Sequence, residues 1–264
     1  MNYKIRKYVT LFLLIASVAV FVFSAGRVLT QLAEEKRAKA QFDALKSAVH
    51  DYKATAAPSA ENTEASLPPD APAILPQYKP LYEQNPDLFG WIQIEDTPID
   101  YPVMYTPQAP ERYLRRGFDG KYSVSGVPFI DGACVEDGNY YIICGHHMKN
   151  KTMFGTLPYY KDKAYWEEHR LIRFDTLFET REYEIFAAFY SKVYDSTEKD
   201  AFKYYLYYDL REEDAFSAYL SGVLASALYD TGVAVEYGDE LLALSTCNYH
   251  TADGRFVVVA KRVK

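Results

Sequence analysis

The chain has 264 residues and a mass of 30.2 kDa, room for one good-sized domain plus appendages. Hydrophobic residues make up 49% and charged residues 25%, which excludes wholesale disorder and a polytopic membrane protein. The formal charge of −7 is unevenly spread. Residues 1–53 hold nine Lys and Arg against four Asp and Glu, so residues 54–264 hold twenty against thirty-two, a net of −12. An acidic body excludes nucleic acid as partner, because phosphate binding needs a basic footprint. Three cysteines cannot all pair, and they lack the C-x-x-C spacing of a zinc site, so at least one thiol is free and no metal is expected.

From Tyr8 to Gly26 the chain carries no charge. Nineteen such residues at 1.5 Å rise give ~28 Å of helix, enough for the hydrocarbon core of a bilayer. Lys4, Arg6 and Lys7 precede this stretch, so the positive-inside rule predicts a cytoplasmic N-terminus and an extracytoplasmic body. A cleaved signal peptide, cut near Ser24, Ala25 and Gly26, is the competing reading. The apolar stretch exceeds a usual h-region, which favours an anchor over residues 1–29. Residues 30–53 lack Gly and Pro and predict a helical, solvated stalk. Residues 54–76, rich in Ala, Pro, Ser and Glu, predict a linker. The folded domain is expected to begin near Gln77 and to fill residues 77–264.

Strand-like runs follow at Trp91–Ile94, Ile99–Met104, Tyr140–Cys144, Leu171–Phe174, Tyr183–Val193, Val233–Tyr237, Leu241–Cys247 and Arg255–Val263. Short and long helices are expected at Tyr165–His169 and Leu210–Tyr229. The longer one carries a stripe from Phe216 through Tyr219, Leu220, Val223 and Leu224 to Ala227 and Leu228. Lys203–Tyr208 fits strand or helix equally. Without a sustained β–α alternation a doubly wound parallel sheet is excluded, leaving a mainly β fold, a closed antiparallel barrel with inserted helices.

The last two strand runs are joined by seven residues with Asp253-Gly254 as the turn signal, a hairpin. Period-2 alternation puts Cys247 on the face of Ser245 and Ala243, two small residues that would floor a cleft. Arg255 opens the return strand beside it. A free thiol at a strand end near a guanidinium sits where thiols become reactive, although a small buried Cys and a surface Arg would give the same pattern. A second cluster, Tyr140-Tyr-Ile-Ile-Cys-Gly-His-His, ends a strand in two histidines. Adjacent rings on extended backbone point apart, so His146 or His147, not both, faces a given site. His250, three residues after Cys247, is a weaker rival, while His50 and His169 read as surface groups. Cys134 and Cys144 sit in apolar runs and read as inert core thiols.

Taken together, Gly145-His146, Leu244-Ser-Thr-Cys247 and Arg255, in that chain order, resemble the His–Cys–Arg set of the sortases. Gly90–Met104, the stretch from His146 to Gly155, and the long helix before the Cys strand are similar to class B, and the likeness covers nearly all of residues 77–264 and the anchor. The resemblance implies a sortase-type closed β-barrel behind an N-terminal transmembrane helix and stalk, single-pass in the cell membrane of a Gram-positive surface. It implies a cysteine transpeptidase without cofactor. Its partners would be surface proteins bearing a C-terminal sorting signal, cut after Thr through a thioacyl enzyme, and an amine of a lipid II-like peptidoglycan precursor. Cys247 would be the nucleophile, His146 the acid and base, and Arg255 the oxyanion partner, with Ser245 and Thr246 lining the substrate groove. The family's Thr-Leu-x-Thr-Cys is Ala243-Leu-Ser-Thr-Cys here, and Asn248 stands where class B often has an acid.

Two other functions fit the same residues. A surface cysteine peptidase would hydrolyse the thioacyl intermediate with water, and a wall-facing scaffold would use Cys247 and Arg255 structurally. A papain-like fold is excluded by chain order, since His146 precedes Cys247 by 101 residues.

Overall fold

A computed structural model describes residues 3–55 and 73–264, and most of the expected linker lies outside the described residues. The chain divides into two compact units, Met1–Gln41 and Phe42–Lys264. One helix, α1 (Tyr3–Thr55), supplies the first unit and the start of the second. In the first unit the large apolar side chains from Leu11 to Phe23 are exposed, and the helix is long and apolar enough to cross a membrane.

The second unit begins thirty-five residues before the expected boundary at Gln77. Phe42, Leu45 and Val49, spaced to share one helix face, are 4%, 7% and 0% exposed, so this part of the stalk is packed rather than solvated. The Phe42 ring meets Tyr101 edge-on at 5.2 Å. Asp100 is the polar hub beneath: it accepts from the Trp91 indole at 2.6 Å and pairs with Lys46 at 3.9 Å and His50 at 3.1 Å. Phe42, Leu45 and Val49 stand among mostly Ala, polar and charged residues, too sparse a stripe to announce a buried face in the sequence.

Eight strands close into a barrel: β1 (Leu88–Gln93), β2 (Asp100–Met104), β3 (Phe129–Ile130), β4 (Tyr140–Gly145), β5 (Leu171–Thr176), β6 (Glu182–Lys192), β7 (Leu241–Cys247) and β8 (Gly254–Arg262). Their order around the ring is β1-β2-β3-β4-β7-β8-β6-β5, with β5 returning to β1. Ring closure needs a glycine at one point. A Cβ on Gly90 would fall 2.1 Å from the Asp175 carbonyl, so no other residue lets β5 approach β1 this closely. Most neighbours are antiparallel, as expected, but β2 meets β3 in parallel at Met104↔Phe129, and β4 and β7 run parallel in the register Tyr140↔Leu241 to Gly145↔Thr246. Parallel strands of this kind are covered on both faces, which is why both read as nearly unbroken apolar runs. The outer cover comes from the segment between β6 and β7, whose helix α4 (Glu213–Ser226) lays Tyr219 on Tyr140 at 4.8 Å between rings and 2.7 Å between hydroxyls.

Seven of the eight strand runs are strands. Val233–Tyr237 is not: it lies between Gly232 and Gly238, both at positive φ, with no ladder partner among the described residues. A closed ring leaves no edge for it to join. The two-residue β3 was too short to show alternation. Helix α4 is shorter at both ends than Leu210–Tyr229, and its buried face is the narrower Phe216, Tyr219 and Val223, with Leu224 and Leu228 exposed. The expected short helix is α3 (Lys163–Glu168), Tyr204–Leu206 forms one 3-10 turn, and α2 (Lys79–Gln84) was not foreseen.

Candidate active site

The parallel pairing of β4 with β7 sets the site. Cys144 lies opposite Ser245, so His146 and Cys247, each two residues further along, leave their strands side by side and on the same face. Across the hairpin Cys247 lies opposite Arg255. The Asn248 N–H donates to the Gly254 carbonyl at 2.8 Å, which makes 248/254 a hydrogen-bonded pair and 247/255 a non-hydrogen-bonded one. In such pairs the side chains stand closest, with Cα atoms about 4.5 Å apart. Thiol, imidazole and guanidinium therefore rise from three adjacent strands at one end of the barrel. All three residues are half-buried.

His146 has a fixed tautomer. Its Nε2 donates to the Leu114 carbonyl at 2.7 Å, so in the neutral ring Nδ1 is the nitrogen with a free lone pair. Leu114 belongs to the 3-10 turn Arg112–Arg115. That turn packs against Gly126 at φ +59°, where a Cβ would fall 2.5 Å from the Tyr113 carbonyl and 2.7 Å from that of Leu114. The backbone is held by Phe154 N–H, which donates to the His146 carbonyl at 3.0 Å. Burial lowers the His146 pKa from its ordinary 6.5; the Leu114 bond opposes this and the Arg115 charge adds to it.

A lowered folded-state value means that the unfolded chain binds this proton more tightly. The group's contribution to stability is complete above about 6.5 and is lost as pH falls through the lower folded value. Thermal unfolding between pH 7.5 and 5 should thus show a steeper loss of Tm in the wild type than in His146→Gln. Parallel curves would mean that His146 is not held neutral.

Arg255 turns its Nη1 back to the Asp253 and Gly254 carbonyls at 3.2 and 3.0 Å, and its Nε and Nη2 make no bond to the described residues. Ser245 and Thr246, expected along the groove, are 4% and 1% exposed. The Ser245 hydroxyl bonds that of Tyr204 at 2.7 Å, and the Thr246 hydroxyl donates to the Gly145 carbonyl at 2.7 Å, tying the ends of β4 and β7 together. Asn248 shapes the turn: its Oδ1 accepts from the His250 backbone and ring at 3.1 Å each. His250 thereby faces the turn and the Tyr190 ring, 4.8 Å away, and His169 stacks on Tyr165 at 4.2 Å. Cys134 and Cys144 are both pushed up to about 12, chiefly by burial. Among the described residues no cluster of His, Cys, Asp or Glu has the geometry of a metal site. The Leu114 carbonyl and the phenol of Tyr204 were missed by sequence reasoning: a main-chain acceptor has no side-chain signature, and Tyr204 is one of six residues in a Tyr-rich run.

The sortase domain family model matches residues 92–263. Sortase B of Staphylococcus aureus is 24% identical over 99% of both chains, and sortase B of Listeria monocytogenes is 28% identical over 98% of this chain and 99% of its own. Among solved structures, sortase B of Bacillus anthracis in complex with AAEK1 superposes with a TM-score of 0.71 at 26% identity, covering 88% of this chain and 99% of that one. The S. aureus sortase B–substrate complex gives 0.73 at 24% identity with the same coverage, a likeness of fold. Sequence, barrel and strand-end cysteine agree: the chain belongs to the sortase family of cysteine transpeptidases, and within it is like the class B enzymes.

Proposed function

We propose that this chain is a membrane-anchored class B-type sortase that cuts a C-terminal sorting signal after Thr and passes the acyl group to an amine of a peptidoglycan precursor. The observation that carries the proposal is the juxtaposition of His146, Cys247 and Arg255 on one face at the ends of β4, β7 and β8. As the Cys247 sulfur attacks the scissile carbonyl, His146 Nδ1 takes the thiol proton, and the C–N bond then breaks as the same nitrogen delivers that proton to the departing amine. The incoming amine then attacks the thioester, yields its proton to the same nitrogen, and releases the thiolate. Arg255, with Nη1 engaged on the turn, offers Nε and Nη2 to the developing oxyanion. The apolar part of α1 would hold the enzyme in the membrane, with Lys4, Arg6 and Lys7 on the cytoplasmic side.

The test is to incubate the full chain with Thr-Gly and Thr-Asn sorting peptides plus a primary amine such as triglycine, and to read products by mass. Amide product supports transpeptidation, whereas hydrolysis alone supports a peptidase. A chain whose thiols show no site-selective alkylation protected by peptide would be a scaffold.

The role given to Arg255 makes a graded prediction. Lys offers a compact point charge in place of a rigid fork of donors. If two guanidinium nitrogens serve the oxyanion, Arg255→Lys loses on the order of 10²-fold in kcat/KM, as when an oxyanion donor is removed. Near-wild-type rates in Arg255→Ala would take Arg255 out of the site.

A further inference from the structure

Strand alternation sets His147 on the face opposite the thiol, yet its ring touches the nucleophile's own peptide. Its Nδ1 lies 2.9 Å from the carbonyl oxygen of Cys247, a residue one hundred positions on. A carbonyl only accepts, so Nδ1 carries the hydrogen. The 247/255 pair is of the non-hydrogen-bonded kind, so the Cys247 carbonyl faces β4 rather than β8. The ladder between β4 and β7 has just ended there, at Gly145↔Thr246. A side-chain N–H thus stands where the next backbone donor of β4 would have been. The residue is itself held: its backbone bridges to Met153 across the tight turn that follows, and its ring lies against Tyr249 at 5.7 Å.

We propose that His147 is a positioning residue which, by donating from Nδ1 to the Cys247 carbonyl, fixes the last peptide of β7 and with it the direction of the Cys247 thiol toward His146 and Arg255. The inference rests on the reading of Cys247 as nucleophile, and it assigns the two adjacent histidines separate duties. His146 exchanges protons on the thiol face, and His147 holds the backbone from the other side. Misplacing a reacting atom by about 1 Å can cost ~10²-fold in rate, and His147, beside Thr246, supplies a side-chain bond that ties the strand ends together here.

Asparagine and glutamine separate position from mere volume. The Asn amide nitrogen occupies the place of Nδ1, whereas that of Gln lies one bond further out, near Nε2. In the full chain, His147→Gln and His147→Ala should lower kcat for the Thr-Gly or Thr-Asn peptide about tenfold with little change in KM, and His147→Asn should recover to within about threefold of wild type. The rate of Cys247 alkylation by iodoacetamide should follow the same order, with the Tm of the Asn and Gln variants within about 2 °C of each other. If Asn and Gln behave alike in both readouts, or if all three variants keep wild-type rates, the proposal is overturned. Should His147→Ala not fold, the Asn and Gln pair still decides. Should the wild type cleave neither peptide, the transpeptidase reading fails, and alkylation alone judges His147.

Discussion

Cys247→Ala is expected to abolish turnover while leaving the barrel intact. The bonds that hold this end of β7 use backbone or neighbouring atoms: Thr246 Oγ1 to the Gly145 carbonyl, Asn248 N–H to the Gly254 carbonyl, and His147 Nδ1 to the Cys247 carbonyl. None involves the sulfur, and the residue is half-buried at the strand's end, so the cavity left behind is small. The other two thiols provide the contrast. Cys134 is 2% exposed and accepts the Ile142 N–H at 3.4 Å, so Cys134→Ala should cost stability on the order of 1 kcal/mol and no activity. Cys144 sits opposite Ser245 on the nucleophile's face, but burial pushes its thiol up to about 12, and Cys144→Ala should remain active. Intact-mass analysis after brief alkylation near pH 7 should find one adduct, lost in Cys247→Ala. Equal loss of activity in all three variants, with normal melting, would remove Cys247 as sole nucleophile.

How much of this was legible in the sequence depends on the range of the interaction. The hairpin carrying Cys247 and Arg255 is local: alternation on two apolar strands and an Asp253-Gly254 turn, with Asp253 at φ +52°, place the two residues opposite each other within a register that β7 and β8 obey. The face shared by Cys247 and His146 is not local. It depends on the parallel register of β4 and β7, a hundred residues apart, and two apolar strands that both read as buried contain nothing that fixes one against the other. The packing of Phe42, Leu45 and Val49 was hidden for a related reason, since a helix with a sparse apolar face looks like a solvated one until its partner is seen. Ser245 and Thr246 carry contacts that the sequence does not show. Period-2 alternation turns Thr246 to the face opposite Cys247, where it bonds the Gly145 carbonyl, and the Ser245 hydroxyl bonds that of Tyr204. The hydroxyls brace the site from within.

His146 should divide into two separable roles, and its variants should tell them apart. Removing the ring altogether, His146→Ala, takes away both the proton carrier and the donor to Leu114, and a loss of ~10²–10⁴-fold in kcat is expected for a general acid and base. His146→Gln is the sharper probe. Its amide nitrogen reaches the Nε2 position and can keep donating to the Leu114 carbonyl, so the loop of the 3-10 turn stays in place and the melting temperature should exceed that of His146→Ala. What Gln lacks is a titratable nitrogen at Nδ1, so it can neither protonate the leaving amine nor take the proton of the incoming one. The expected result is therefore a stable protein almost as inactive as His146→Ala, with peptide KM close to wild type. If His146→Gln were instead substantially active, the ring would act through its bond to Leu114, and proton transfer would have to be sought elsewhere. His250 is a poor substitute on geometry, because its ring faces Asn248 and Tyr190. His147 is no better placed, since its Nδ1 is committed to the Cys247 carbonyl. A His147 variant more damaging than His146→Ala would reverse the assignment of the two rings, because strand alternation allows one of them on the thiol face and not both.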